Sequence, residues 1–281
     1  YLCRTCIKHF MAGNRLNNND IISDYVEHKF TLKELSVKYG KSVSTMQRIL
    51  RKMRHIHTIS KDKEVVILLD TTYWGRNSGL MVIKDAQRGK ILWHKHIRHE
   101  TVSLYIEGVE WLAEHGFKIH GIVCDGHKGL FKALTKYNVQ MCQVHQQRII
   151  RRYLTQSPEL EASIELLNIS KLLTHTDKES FIGLFNEWQI KWENFLKERT
   201  IDSKGKSRYT HQRVRSAYLS LIRNMKWLWT FYDNKELNIP NTNNALEGTF
   251  TDIKSKLRIH SGMKKLNRQK FLDEYISMYY Y

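Results

Sequence analysis

The stretch E-V-V-I-L-L-D at residues 64–70 decides the fold. Its apolar run V-V-I-L-L is too short for a buried helix and suits a strand covered on both faces. The run ends in Asp70, and a carboxylate there is costly unless a helix N-terminus, a hydrogen bond or a metal compensates it. Downstream, G-L-M-V-I-K at 79–84 and K-I-L-W-H-K-H-I at 90–97 are further strand candidates. Turn signals from Gly75 to Gly79 and from Asp85 to Gly89 join the three into an antiparallel meander. A helix is predicted over 101–115, where Val102, Tyr105, Ile106, Val109 and Leu112 share a face. K-I-H-G-I-V-C-D at 118–125 is a second buried strand ending in an aspartate, Asp125. A helix at 127–136 and a short strand at 139–142 follow it.

Three strands, a helix, a strand, a helix and a strand is the order of the ribonuclease H fold, an α/β architecture on a mixed sheet. In that order the two strands that end in aspartate are central and adjacent, so Asp70 faces Asp125. Either residue alone reads as the cap of a following turn. Two facing carboxylates cannot both stay ionised unaided, and the pair calls for a cation. The first part of this core spans 64–145.

A third carboxylate stands in N-T-N-N-A-L-E-G-T-F at 241–250, directly after Pro240 and at the start of a helix. Asn244 and Glu247 have the spacing of a capping box, the plainest reading of this glutamate. Gly248 argues for more, because glycine early in a helix costs about 1 kcal/mol relative to alanine and would let backbone or ligand approach closely. Leu246, Phe250, Ile253 and Leu257 form the buried stripe, and Glu247, Thr251, Lys254 and Arg258 the neighbouring one. That face suits a site which holds metal and then grips phosphate.

Residues 20–54 read as three short helices within a domain at 13–56. T-L-K-E-L-S-V-K at 31–38 and S-V-S-T-M-Q-R-I-L-R-K-M-R at 42–54 flank Y-G-K, whose glycine suits the tight turn of a helix-turn-helix. In the third helix Val43, Met46, Leu50 and Met53 make a buried stripe. Ser44, Thr45, Gln47, Arg48, Arg51 and Lys52 occupy the opposite face as donors for phosphate oxygens and base edges. A solvated three-helix bundle is the plainer account of the same pattern. H-T-I-S-K-D-K at 57–63 is a linker. Residues 1–12 hold Cys3-x2-Cys6, half of a zinc ribbon: either the other ligand pair lies upstream of Tyr1, or no zinc is held.

Residues 146–240 read as an all-helical insertion whose core is Phe181, Leu184, Phe185, Trp188, Trp192 and Phe195 together with Leu221, Met225, Trp227 and Trp229. Its basic run K-G-K-S-R-Y-T-H-Q-R-V-R at 204–215 faces solvent or DNA. Over the whole chain of 281 residues, 46 Lys and Arg against 28 Asp and Glu give a formal charge of +18, which favours nucleic acid over a membrane surface as partner. No apolar run approaches the roughly 20 residues of a membrane span. Four cysteines make no disulfide framework and point to a reducing compartment.

L-L-D-T-T-Y-W-G, V-C-D-G, Cys142-Q-V-His145 and N-N-A-L-E-G together resemble the DDE transposases of bacterial insertion sequences in the Mutator-like group. The resemblance covers residues 64–275; the spacings of 55 residues between the aspartates and 122 before Glu247 leave room for the long insertion that such enzymes place there. It implies a catalytic triad of Asp70, Asp125 and Glu247 that binds two Mg2+ or Mn2+ ions, a structural role for Cys142 and His145, and residues 241–281 completing the core. It also implies a cytoplasmic, nucleoid-associated protein that acts on terminal inverted repeats and target DNA as a homodimer or larger assembly. Lys254 and Arg258 are expected at the DNA, and zinc at Cys3 and Cys6 only if a second pair completes the ribbon. A catalytically idle DNA-binding regulator and a ribonuclease H-fold nuclease are the competing readings. The start at Tyr1 and the end in M-Y-Y-Y raise the expectation of a truncated or inactive copy.

Overall fold

The computed structural model describes residues 4–7, 16–28, 30–52, 63–127, 129–201, 203, 205–260 and 262–280. Cys3, Met53, Lys204 and residues 57–62 of the expected linker lie outside them. The described residues group as two units, 59–250 and a second made of 1–58 with 251–281, so the expected C-terminal segment 241–281 is shared between the two. No helix of the described residues is long and apolar enough to cross a membrane.

The larger unit is built on β1 (Glu64–Tyr73), β2 (Gly79–Asp85), β3 (Ile91–Ile97), β4 (Lys118–Cys124) and β5 (Asn138–Met141), in the spatial order β3-β2-β1-β4-β5. The three-strand meander is antiparallel, while β1 pairs with β4 and β4 with β5 in parallel. The second pair of connections needs crossovers. These are supplied by α4 (Val102–Glu114) and by a helix shorter than the predicted 127–136, α5 (Leu130–Ala133). This is the ribonuclease H-like sheet expected from the order of strands and helices.

Strand alternation divides the faces. Val65, Ile67 and Leu69 of β1 and Ile122 and Cys124 of β4 pack with Tyr105, Val109 and Leu112 of α4 in one core. Asp70 and Asp125, one residue beyond Leu69 and Cys124, therefore belong to the opposite face. Helix α4 approaches the sheet closely at Gly108, where a Cβ would stand 2.7 Å from Ile83 Cδ1.

The region between β5 and Glu247 contains α6 (Gln143–Leu154), α7 (Glu161–Leu172), α8 (Lys178–Lys197), α9 (Gln212–Leu228) and α10 (Thr230–Asp233). It is not wholly helical: β6 (Arg199–Ile201) and β7 (Ser207–Tyr209) form a hairpin just where the basic run begins. Phe181, Phe185, Trp188 and Trp229 are core, and Leu184 is exposed. The insertion is fastened to the sheet by buried amides, since Gln140 and Gln143 both donate to the Leu228 carbonyl at 3.0 Å. Breaking such a bond would leave a desolvated group unpaired.

In the smaller unit, α1 (Asn18–Val26), α2 (Leu32–Tyr39) and α3 (Val43–Leu50) bury Ile21, Leu35, Met46 and Leu50. Thr31 and Glu34 close a capping box on α2, and Gly40 takes φ +59° to turn the chain into α3, capped by Ser42. Helices α11 (Asn244–Ile259) and α12 (Lys265–Tyr280) complete the C-terminal segment. From their part in this unit, the His260 ring lies 4.4 Å from that of Tyr25 at a tilt and its Nε2–H donates to the Tyr25 carbonyl at 3.2 Å, and Phe271 meets Tyr25 edge-on.

Candidate active site

Asp70 is not at the end of its strand, since β1 continues to Tyr73. The strand runs on because Asp70 to Tyr73 keep their pairing with Val82 to Gly79 of β2. Asp125 directly follows β4, and the parallel register of Leu68 with Val123 carries the two aspartates side by side. The Thr71 N–H donates to Asp70 Oδ1 at 2.7 Å and the His127 N–H to Asp125 Oδ1 at 3.1 Å. Burial pushes the Asp70 carboxyl up to about 7 despite the Thr71 bond, and Asp125, Glu100 and Glu247 add to the rise. All four carboxyl groups therefore share one electrostatic neighbourhood.

Glu247 reaches that neighbourhood through Asn243, which is fully buried. The Asn243 side-chain amide donates to the Leu69 carbonyl at 2.9 Å, next to Asp70, and its backbone N–H to Cys142 Sγ at 3.2 Å. Lys84, also buried, donates from β2 to the Ala245 carbonyl and to Thr249 Oγ1 at 3.1 and 2.8 Å. These bonds fix the first turns of α11 on the sheet. Because α11 begins at Asn244, Glu247 lies one residue beyond the position that a capping box requires. Its carboxylate is gripped instead by the Arg148 guanidinium, Nη1 to Oε1 at 2.5 Å and Nη2 to Oε2 at 2.7 Å.

Two residues of this site are absent from the sequence reading. Glu100, between β3 and α4, accepts from the buried Tyr105 hydroxyl at 2.6 Å, and that hydroxyl lies 3.1 Å from Thr71 Oγ1. Burial raises the Glu100 carboxyl, with Asp125 contributing. Nothing in R-H-E-T at 98–101 separates Glu100 from a loop residue before a helix cap. Arg148 did leave a trace, standing one turn beyond His145 on the same face of α6.

Cys142 and His145 flank the site without completing a metal set. The Cys142 thiol is buried and pushed up by that burial, against the bond from Asn243, which is the opposite of a thiolate ready to ligate. Burial lowers the His145 imidazole; its Nε2 lies 3.8 Å from Glu247 Oε1 and its buried Nδ1 has no hydrogen-bond partner among the described residues. Gly248 faces open space, and a methyl group added there would meet nothing within 4 Å. That side of the helix therefore has room for a ligand, but among the described residues no backbone approaches it. Gly248→Ala is expected to raise stability by about 0.5–1 kcal/mol by lowering unfolded-state entropy, read as a higher urea midpoint.

The residues proposed to touch DNA fall in two places. Ser44, Gln47, Arg48, Arg51 and Lys52 are exposed on and just after α3 and Thr45 is half-buried; on α11 Arg258 is exposed and Lys254 half-buried. Cys6 is exposed and unbridged.

No protein-family model matches the chain, and no curated protein matches it. Among solved structures it is similar to a chain of the Drosophila P element transposase strand transfer complex, at 11% identity and a TM-score of 0.50, over 94% of this chain and 92% of that one. The fold is similar to that of this transposase chain. A chain of the simian T-cell lymphotropic virus intasome with the PP2A regulatory subunit B56 gamma also aligns, over 56% of this chain and 69% of that one, but its 12% identity and TM-score of 0.24 carry no argument. Within this fold, the sheet and the first turns of α11 bring Asp70, Asp125 and Glu247 into one neighbourhood from positions far apart in the chain.

Proposed function

We propose that this chain is a DDE transposase of a bacterial insertion sequence, similar to the Mutator-like group, that cuts DNA at the element's ends and joins the freed ends to target DNA. The observation that carries this reading is geometric: the β1–β4 register sets the half-buried Asp70 beside Asp125, and Asn243 bonded to the Leu69 carbonyl brings the helix of Glu247 to the same place. A protein keeps such a cluster of repelling groups where function requires them. Residues 13–56 would select the terminal inverted repeats, residues 64–145 with 241–281 would form the catalytic core, and residues 146–240 would hold flanking or target DNA through phosphate contacts. Two DNA ends must be brought together, so the working form is a homodimer or larger.

Asp70, Asp125 and Glu247 supply hard oxygen donors and excess negative charge, a set that fits Mg2+ or Mn2+. Two such ions, when bound, supply activation of a water or 3′-hydroxyl and stabilisation of the leaving oxygen. For its part the chain orients Asp70 and Asp125 through the Thr71 and His127 amides. It carries Glu247 to them on a pinned helix, and burial favours the protonated form of Asp70 in the metal-free chain. Labelled duplexes spanning the two flanks of the gene, incubated with Mg2+, Mn2+ or EDTA, test the reading. Metal-dependent nicking at the element boundary, lost in Glu247→Gln, is the expected result; full strand transfer by Glu247→Gln would overturn it.

The clasp of Arg148 on Glu247 favours one second reading, a DNA-binding regulator whose triad is idle. It predicts duplex binding without cleavage in any metal and unchanged by Asp70→Asn.

A further inference from the structure

The smaller unit carries a groove of about 770 Å³ between α2 and α3 on one side and the segment from Ile259 to Lys270 on the other. Its floor is apolar, with Tyr25, Leu50 and Met263. Its rim is cationic: Lys33, Arg51 and Lys264 are exposed, and Gln47 and Asn267 add exposed amides. Among the described residues that line it, none carries a carboxylate. Lys270 donates to the Arg51 carbonyl at 3.1 Å, which ties α12 to the C-terminal end of α3 and places a cation where the helix dipole favours one.

We propose that this groove grips the sugar–phosphate backbone of duplex DNA beside the major groove read by α3, so that recognition of the element's ends is divided between the helix-turn-helix and the C-terminal segment. The inference rests on the transposase reading above and adds to it a second DNA-contacting element that the helix-turn-helix alone does not contain. Gln47 and Arg51 stand one turn apart on the groove side of α3, while Ser44 and Arg48 stand one turn apart beside them. A recognition helix in the major groove has a phosphate strand along each flank, and the first helix of the motif crosses one of them. Lys33 is in the first turn of α2, the helix that would make that crossing, and Lys264 lines the same groove from the C-terminal segment. An acidic protein segment would also match the charge, but it has no reason to adjoin the exposed donors of α3.

The test is the affinity of the full-length chain for a fluorescent duplex from the gene's flank, in EDTA so that no strand is cut, over a series of salt concentrations. Lys33→Ala with Lys264→Ala is expected to weaken binding about tenfold or more at about 0.1 M salt and to reduce the slope of log affinity against log salt by about two. Replacing the same residues with arginine should keep the slope. A control pair outside both the groove and the insertion, the exposed Lys118→Ala with Lys136→Ala, should change both much less. Equal thermal unfolding of all variants will show that the exposed substitutions leave the fold intact. Binding by the groove variant that matches wild type, or that falls no further than the control pair, would overturn the proposal and turn attention to a protein partner. Failure of the wild-type chain to bind any duplex would remove the transposase reading with it. Nicking that depends on Glu247, together with an unaffected groove variant, would leave that reading standing and sink only this one.

Discussion

Asp70→Asn is expected to make the metal-free protein more stable at about pH 8 while abolishing cleavage. The folded-state carboxyl is raised to about 7 from an ordinary value of 3.8. A group whose pKa is raised on folding adds stability below its unfolded value and loses it as pH rises through the folded value. At about pH 8 wild-type Asp70 is ionised among Asp125, Glu100 and Glu247, and each unit of the raised pKa then costs about 1.4 kcal/mol. Allowing for the partial exposure of the side chain, the variant should gain about 2–4 kcal/mol at that pH and nothing below about pH 4. Asparagine keeps an oxygen to accept from the Thr71 N–H, so no new unpaired group is created. Urea unfolding in EDTA across that pH range measures the gain. Saturating Mg2+ or Mn2+ should stabilise wild type and leave the variant unmoved. Nicking should fall by about a thousandfold or more, roughly 4 kcal/mol of lost transition-state stabilisation. A variant that is no more stable than wild type at alkaline pH would show that burial and the neighbouring carboxyl groups do not raise Asp70.

Arg148→Ala should raise the affinity for divalent ions by about tenfold, equivalent to about 1.4 kcal/mol. The guanidinium occupies both oxygens of Glu247 and adds a positive charge beside the carboxylates that would hold the ions. Removing it frees a donor and deletes a repulsion, and both effects have the same sign. The pair itself is half-exposed, with side-chain exposures of 49% and 29%, so its loss should cost little stability. Calorimetric titration of Mn2+ into wild type, Arg148→Ala and Arg148→Lys checks the order, with the lysine variant between the other two. Weaker binding in Arg148→Ala would instead make the arginine a support that holds Glu247 in place for the ion.

Much of this is legible in the chain because the determining signals are local. The run at 65–69, the turns at Gly75 and Gly89 and the stripe on α4 each depend on neighbours within a few residues, and they give the sheet without knowledge of the whole. The Leu246, Phe250, Ile253 and Leu257 stripe is likewise buried as its spacing requires. The end of β1 is not legible, because Thr71 and Thr72 read equally well as turn or strand until β2 is there to pair with them. The hairpin β6–β7 is hidden because three-residue strands leave almost no periodicity. Glu100 and Arg148 do not stand out because their meaning comes from side chains about 30 to 100 positions away.

Asn243 joins residues separated by 174 positions when its side chain meets the Leu69 carbonyl. That separation sets a timetable for synthesis. Glu247 is added 122 residues after Asp125, which at roughly 5–20 residues per second is about 6 to 24 seconds later. Throughout that interval the nascent sheet can form with its two aspartates in place, yet it has no third carboxylate. Under the function proposed above, the order of the sequence would thus keep the chain from cutting DNA while it is still tethered to its ribosome.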